Sequence, residues 1–260
     1  MEISDFMNTF IVEYNIGYHI KKEKTLLKTI QKLTPNGPPY QIFLGNPQSA
    51  KMSIVEEELT LTKECITEKN IKMYVHSQYI INLSNDDLYI ASLLSKNLQY
   101  ASVAGFRGVV VHVGKYTTRS LDVALENMYE NMMKAEEYAN EECPLLLETP
   151  AGQGTETLTT CNDFMNFMER FEDKLGKSIG ICVDTCHVFA SGTDPLEYIK
   201  EIYSRRSDVI KLVHFNDSKV ACGSCVDRHE WIGDGKIGFN KMNEIAVFCK
   251  EHSIDMLYEG

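Results

Sequence analysis

The sequence predicts an α/β fold, a closed (β/α)8 TIM barrel of eight parallel strands, and three observations carry that prediction. Short runs rich in Val, Ile and Leu recur along the 260 residues, with helix-like segments between them. The runs mostly lack polar alternation, as strands of a parallel sheet covered on both faces do. Imidazole and carboxylate side chains end most of the runs, and the C-terminal strand ends of such a barrel meet at one mouth.

Taken in order, NIGYHI (15–20) precedes a Lys-rich helical stretch, and YQIFLG (40–45) precedes a polar loop and the helix-like 53–69. IKMYVH (71–76) leads into a segment with apolar residues at helical spacing, for which Asn85 or Ser84 is the expected cap. GVVVHV (108–113) precedes the helical 119–139. PLLLET (144–149) precedes a loop in which Gly152 and Gly154 serve a tight backbone, then the helix-like 161–174. SIGICVD (178–184) leads into 194–204, and VIKLVHF (209–215) runs through a long loop into 239–251. IDMLYE (254–259) is the eighth strand. Strand alternating with helix implies right-handed crossovers and a parallel sheet. An open doubly wound sheet is the alternative; no Gly-rich dinucleotide fingerprint follows the first strand to support it. With no linker-like stretch, residues 1–260 read as a single domain. Only Gly260 follows Glu259, so the eighth helix is missing. The last strand is therefore expected to expose apolar surface and to hold Glu259 loosely, with partial compensation from the first dozen residues.

The composition, 43% hydrophobic and 24% charged, is that of an ordinary globular chain. No apolar run approaches the roughly 18–20 residues of a membrane span. The start, MEISDFMNTF, lacks a basic region followed by an apolar core, so no secretory signal is read and an intracellular location is expected, cytoplasmic with a nuclear one left open. The eight cysteines then read as reduced thiols, and the lone Cys222-Gly-Ser-Cys225 as a loop turn. A net charge of −11 argues against a simple basic groove around nucleic acid. It leaves open a nucleic-acid enzyme whose positive charge resides in metal ions.

Nine side chains are candidate metal ligands: His76, His112, Glu148, Asp184, His187, His214, Asp227, His229 and Glu259. Six of them end strands three to eight. Asp184 and His187 share a side if a helical turn follows the strand, and Asp227 and His229 share a face if their segment is extended. Imidazole and carboxylate without thiolate suit Zn²⁺, Mn²⁺ or Fe²⁺. One ion takes about four to six ligands, so nine imply two or three ions, an arrangement suited to phosphoester hydrolysis. Three divalent ions bring about +6, and four carboxylates with one hydroxide remove about five, leaving a site that attracts a phosphodiester. A sugar isomerase or epimerase on a related barrel is an alternative, but it needs no third metal set. His19 reads as a packing or supporting residue and His252 as solvent-facing. Asn216 and Asp217 could each orient a ligand or cap the next turn.

The runs LETPAGQGT (147–155), CVDTCHVFASG (182–192), HFNDSK (214–219) and VDRHEWIGDGKIG (226–238), with IGYHI and VHSQYIINL (75–83), resemble the endonuclease IV family of apurinic/apyrimidinic (AP) endonucleases. The resemblance covers about residues 15 to 260. It implies a TIM barrel with three zinc ions, Mn²⁺ or Fe²⁺ being possible at one position. The implied substrate is double-stranded DNA containing abasic sites, cut 5′ to the lesion to leave a 3′-hydroxyl and a 5′-deoxyribose phosphate, by a monomer. It assigns His76, His112 and Glu148 to one ion, and Glu148, Asp184, His214 and Glu259 to a second. His187, Asp227 and His229 fall to the third. Glu148 or Glu259 would accept the water's proton. Tyr79 and Ile80 match residues that insert into DNA, and Asn46 and Gln48 lie on the second-strand loop. There the chain reads Asn46-Pro47-Gln48-Ser49-Ala50, where the family has arginine and then tryptophan after Asn-Pro. A DNA-binding barrel with impaired cleavage is the corresponding alternative.

Overall fold

The computed structural model describes residues 3–260. Eight parallel strands close into a barrel: β1 (Gly17–His19), β2 (Tyr40–Phe43), β3 (Met73–His76), β4 (Val109–His112), β5 (Leu145–Glu148), β6 (Ile179–Asp184), β7 (Ile210–His214) and β10 (Asp255–Tyr258). Each lies inside one of the eight runs read from the sequence. The ring closes where β10 pairs with both β7 and β1. Helices α2 (Leu26–Lys32), α3 (Leu59–Lys69), α4 (Leu88–Val103), α5 (Leu121–Glu136), α6 (Cys161–Met168), α8 (Pro195–Arg205) and α9 (Phe239–Glu251) alternate with the strands.

The two faces of each strand divide the work. Tyr74, Val110, Leu146, Cys182, Leu212 and Leu257 form a buried cluster with one residue from each of β3, β4, β5, β6, β7 and β10, which fills the barrel interior. Their neighbours, among them Val75, Val109, Leu147, Val183, Val213 and Met256, join the other cluster, shared with helix residues. Strand side chains alternate with period two, so the residue two positions beyond each interior residue also points inward, at the mouth. Those residues are His76, His112, Glu148, Asp184, His214 and Glu259.

Four features depart from the sequence reading. Helix α4 is capped by Asp87, which accepts the Tyr89 amide at 2.9 Å, and not by Ser84 or Asn85. A six-residue helix, α7 (Thr185–Ala190), starts at the very end of β6, and a hairpin of β8 (Asp217–Ser218) and β9 (His229–Glu230) stands within the long loop after β7. Both are too short for a periodic pattern to reveal. The fourth concerns the barrel seam. Helix α1 (Ile3–Glu13) precedes β1, and Phe10 packs on Phe239 at the start of α9 (5.2 Å between ring centres) and on Phe215 beyond β7. At the other end of α9, Lys250 lies over the Tyr14 ring at 5.1 Å. α1 thus runs beside α9 at the β10–β1 seam, where an eighth helix would pack. The outward Met256 is 2% exposed. The expected bare apolar flank is not found among the described residues, and Phe10 and Ile11 of α1 belong to the same buried cluster as Met256.

Candidate metal centre

Four carboxylates and five imidazoles converge at the mouth, in groups whose ligand atoms lie within 4.8 Å of one another. His76, His112 and Glu148 form one group; Glu148, Asp184, His214 and Glu259 a second; His187, Asp227 and His229 a third. Glu148 belongs to two groups, and its geometry shows why. Its Oε2 lies 3.2 Å from His76 Nε2 and 3.1 Å from His112 Nε2, while Oε1 lies 2.9 Å from His214 Nδ1. Burial opposes ionisation of this carboxyl, yet the imidazoles of His112 and His214 outweigh it and hold Glu148 well below the ordinary carboxylate range.

Local structure brings the non-strand ligands in. Asp184 caps α7, accepting the His187 amide at 2.8 Å, and this turn places the His187 ring beside the strand ends. His187 Nδ1 meets the Thr149 carbonyl at 2.9 Å, which leaves Nε2 facing Asp227 Oδ2 at 3.3 Å. His229 Nε2 lies 3.2 Å from Asp227 Oδ1 and 3.6 Å from Asp184 Oδ2. The segment is extended, so Asp227 and His229 do face one way. Both Nε2 atoms are buried and lack a hydrogen bond. Burial lowers the basicity of His187, but Asp184 and Asp227 outweigh it and raise its pKa well above the usual value; the same two carboxylates raise His229. Buried imidazole nitrogens aimed at carboxylates without hydrogen-bond geometry, in an excess of negative charge, suit divalent cations. The donor set therefore fits a metal cluster.

A fourth group, Asp184, Cys186 and His229, also lies within ligand distance. Burial pushes the Cys186 thiol up to about 12, and its Sγ faces the Arg228 carbonyl, so it stands as a protonated core residue. The eight cysteines are free, and Cys222 and Cys225 are exposed in a loop, as read from the sequence. Gly152 and Gly154 both take positive φ, the backbone role expected of them.

Supporting residues complete the centre, and of them the sequence did not single out Gln41. Gln41, fully buried on β2, donates to Glu259 Oε1 at 2.8 Å, lies 3.1 Å from His19 Nδ1, and has its Oε1 2.9 Å from His214 Nε2. Its one signal is an amide in an otherwise apolar run. Glu259 is consequently held, not loose. His19 is the supporting residue expected: 4.0 Å from Glu259, its pKa lowered to about 4, chiefly by burial. Asn216 and Asp217 divide the two roles considered for them. Asn216 Nδ2 donates to Asp184 Oδ2 at 2.7 Å and to Glu259 Oε2 at 3.3 Å, orienting two ligands. Asp217 is fully buried and accepts backbone amides of Ser218, Gly233, Gly235, Ile237 and Gly238. It gathers the loop that follows the Asp227/His229 segment and leads it into α9. A Cβ at Gly235 would stand 2.4 Å from Asp217 Oδ1, so only glycine allows this approach. His252 is exposed as expected, although its ring also lies 4.3 Å from those of Tyr203 and Phe248.

A cavity of about 310 Å³ opens over the cluster, lined by Glu259 and the ligands His76, His112, His187, Asp227 and His229, with Tyr79 at its edge, but not by Glu148. The Tyr79 ring stacks on His112 (5.5 Å, 18° between planes) and edges onto Phe43 and His76, yet the residue is 53% exposed. Ile80 beside it is 39% exposed. The Tyr79 amide donates to the Pro47 carbonyl at 2.8 Å, tying the loop after β3 to that after β2. Asn46 Oδ1 accepts the Gln48 amide at 2.9 Å, so Asn46 shapes its own turn and Gln48 projects to solvent.

A barrel with several groups of potential metal ligands at its strand ends is the class that fold and site define. The model of the family described as xylose isomerase-like TIM barrel matches residues 40–247. A putative endonuclease 4 of Acanthamoeba polyphaga mimivirus is 31% identical over 97% of this chain and 88% of its own length. A probable endonuclease 4 of Mycoplasma mobile is 32% identical over 84% of this chain and 80% of its own. In the fold, the chain is similar to endonuclease IV from Thermus thermophilus, with a TM-score of 0.78 at 22% identity, covering 94% of this chain and 91% of that one. The chain belongs to the endonuclease IV family within the xylose isomerase-like TIM barrels.

Proposed function

We propose that this chain is a DNA-repair AP endonuclease that hydrolyses the phosphodiester 5′ to an abasic site through three zinc ions, leaving a 3′-hydroxyl and a 5′-deoxyribose phosphate. The observation that carries the reading is the convergence of nine side chains into three groups of potential ligands, two of which share Glu148. His76, His112 and Glu148 would hold one ion, Glu148, Asp184, His214 and Glu259 the second, and His187, Asp227 and His229 the third. When bound, such ions lower the pKa of water and stabilise charge on phosphate oxygens.

The chain's own residues do the rest. Both carboxylates have imidazole neighbours, Glu148 on each oxygen and Glu259 through His214 at 3.1 Å, but of the two Glu259 lines the cavity, which favours it as the group that takes a proton from the attacking water. Gln41 and Asn216 fix its two oxygens. Tyr79 and Ile80 stand exposed at the rim, where they would fill the gap left by a missing base. The cavity beneath would receive the base-free sugar, whose extrusion costs less than that of a stacked nucleotide. Asn46 and Gln48 border the same duplex face. A sugar epimerase on this barrel is a weaker reading: a D-tagatose 3-epimerase-like protein shares the fold (TM-score 0.66 at 18% identity), but the group of His187, Asp227 and His229 has no place in a site built for one or two ions.

The test is a duplex carrying one tetrahydrofuran abasic analogue, incubated with the zinc-loaded chain, alongside elemental analysis. About three zinc ions per chain and a single nick 5′ to the analogue are expected. A folded, zinc-loaded sample that leaves the analogue intact overturns the reading.

A further inference from the structure

A groove of about 720 Å³ lies outside the metal centre, between the segments that follow β1 and β2. Lys21, Lys22 and Lys51 line it together with Asn46 and Ser49, and no carboxylate does. His19 and Phe43 form its inner wall, and Phe43 sits 5.2 Å from both His76 and Tyr79, so the groove ends beside the first ligand group. Such a surface is exceptional in a chain of net charge −11. Three other cations around the mouth are paired with carboxylates: Lys115 with Glu156, Arg119 with Asp86, Lys219 with Glu230. Lys21 and Lys51 are exposed and have no carboxylate within ion-pair distance among the described residues. Glu23, the nearest acid in sequence, pairs with Lys32. Lys22 is half-buried, and burial lowers its pKa, a cost that an anion in the groove would relieve.

The loop that carries Lys51 is braced. Gly45 bridges to Met52, Ser49 Oγ accepts the Lys51 amide, and Pro47 accepts from Tyr79. Lys21 and Lys22 thus flank the groove from the segment after β1 and Lys51 from the braced loop after β2, and the groove's end meets both His76 and the exposed Tyr79. Consecutive phosphates of a duplex strand present a row of anions of this kind, and lysine serves phosphate as a point charge without needing bidentate geometry.

We infer that Lys21, Lys22 and Lys51 form a phosphate track that grips the backbone of duplex DNA beside the candidate metal centre. This rests on the proposed endonuclease reading for its substrate but concerns binding, so the two can fail separately. The test uses the zinc-loaded full chain and an undamaged duplex of about 20 base pairs, with affinity measured by fluorescence anisotropy from about 50 to 200 mM salt. Each phosphate contact contributes about 0.9 to the slope of log affinity against log salt. The triple variant Lys21→Ala/Lys22→Ala/Lys51→Ala should flatten that slope by about two to three and weaken binding roughly tenfold or more at the lower salt. Lys24→Ala/Lys28→Ala, exposed lysines that do not line the groove, controls for net charge and should change the slope by less than about one. Zinc content and the melting curve report whether the triple variant is intact; should it not be, the charge reversal Lys51→Glu alone should still weaken binding. An unchanged slope, a loss matched by the control, or tighter capture of single-stranded RNA than of the duplex would each overturn the track. Lysine-dependent binding without nicking of the abasic analogue would retain the track and overturn the endonuclease.

Discussion

The ring of strand ends and the rim of loops above β2 and β3 belong to one mouth but obey different rules. In the ring, His76, Glu148, Asp184 and His214 are 0–2% exposed, and each meets one or more neighbouring side chains at close range. At the rim, Tyr79 is 53% exposed, Gln48 projects to solvent, and Lys21 and Lys51 have no acidic partner among the described residues. A buried charged cluster has no water to fall back on, so every donor and acceptor needs a specified partner. A surface that meets a polyanion needs only positive charge of about the right spacing, which several residues can supply. The difference is why a change at an exposed rim position such as Gln48 should be tolerated better than one among the buried candidate ligands.

Substitutions can break that contrast. Glu148→Gln should have the largest effect, lowering the nicking rate by about a thousandfold or more, since one carboxylate serves two ligand groups. Near-wild-type nicking in a stopped-flow assay would show that the ring is not interdependent. Gln41→Leu comes next: it removes the partner of both His214 and Glu259, and residues of this kind are worth roughly 10–100-fold in metal affinity. Competition with a chelator measures it, and wild-type zinc retention would contradict the support drawn from β2. Asp217→Asn replaces an acceptor of five amides by a group that also donates, at a cost of about 2 kcal/mol. Urea denaturation should register that loss, and elemental analysis should find the ion of His187, Asp227 and His229 depleted before the others. At the rim, Gln48→Arg should be tolerated, tightening duplex binding about threefold and steepening its salt dependence by about 0.9. Loss of stability or zinc in that variant would mean the rim is as constrained as the ring.

How much of this could be read from the chain varies with the same contrast. The nine candidate ligands drew notice because metal chemistry favours imidazole and carboxylate, and six of them stand where apolar runs stop, at strand ends that the barrel gathers. Gln41 was nearly legible, as a lone amide between Tyr40 and Ile42, but nothing local says that it faces inward. Asn216 and Asp217 could not be told apart, since adjacent residues point to opposite partners only once the loop after β7 is folded. Helix α7 and the β8–β9 hairpin, of six and two-plus-two residues, fall below the length at which periodicity speaks.

Sequence by itself determined the eight strands, the family and which residues are candidates to hold metal, because burial on both faces and metal chemistry each restrict residue type position by position. Tertiary structure alone decided which candidate ligands meet, that Glu148 joins two groups, that Gln41 and Asn216 hold Glu259, and that α1 shares a buried cluster with the last strand. Those are contacts between residues far apart along the chain. Closure of the barrel creates them, and no local pattern encodes a partner that arrives only when the ring is shut.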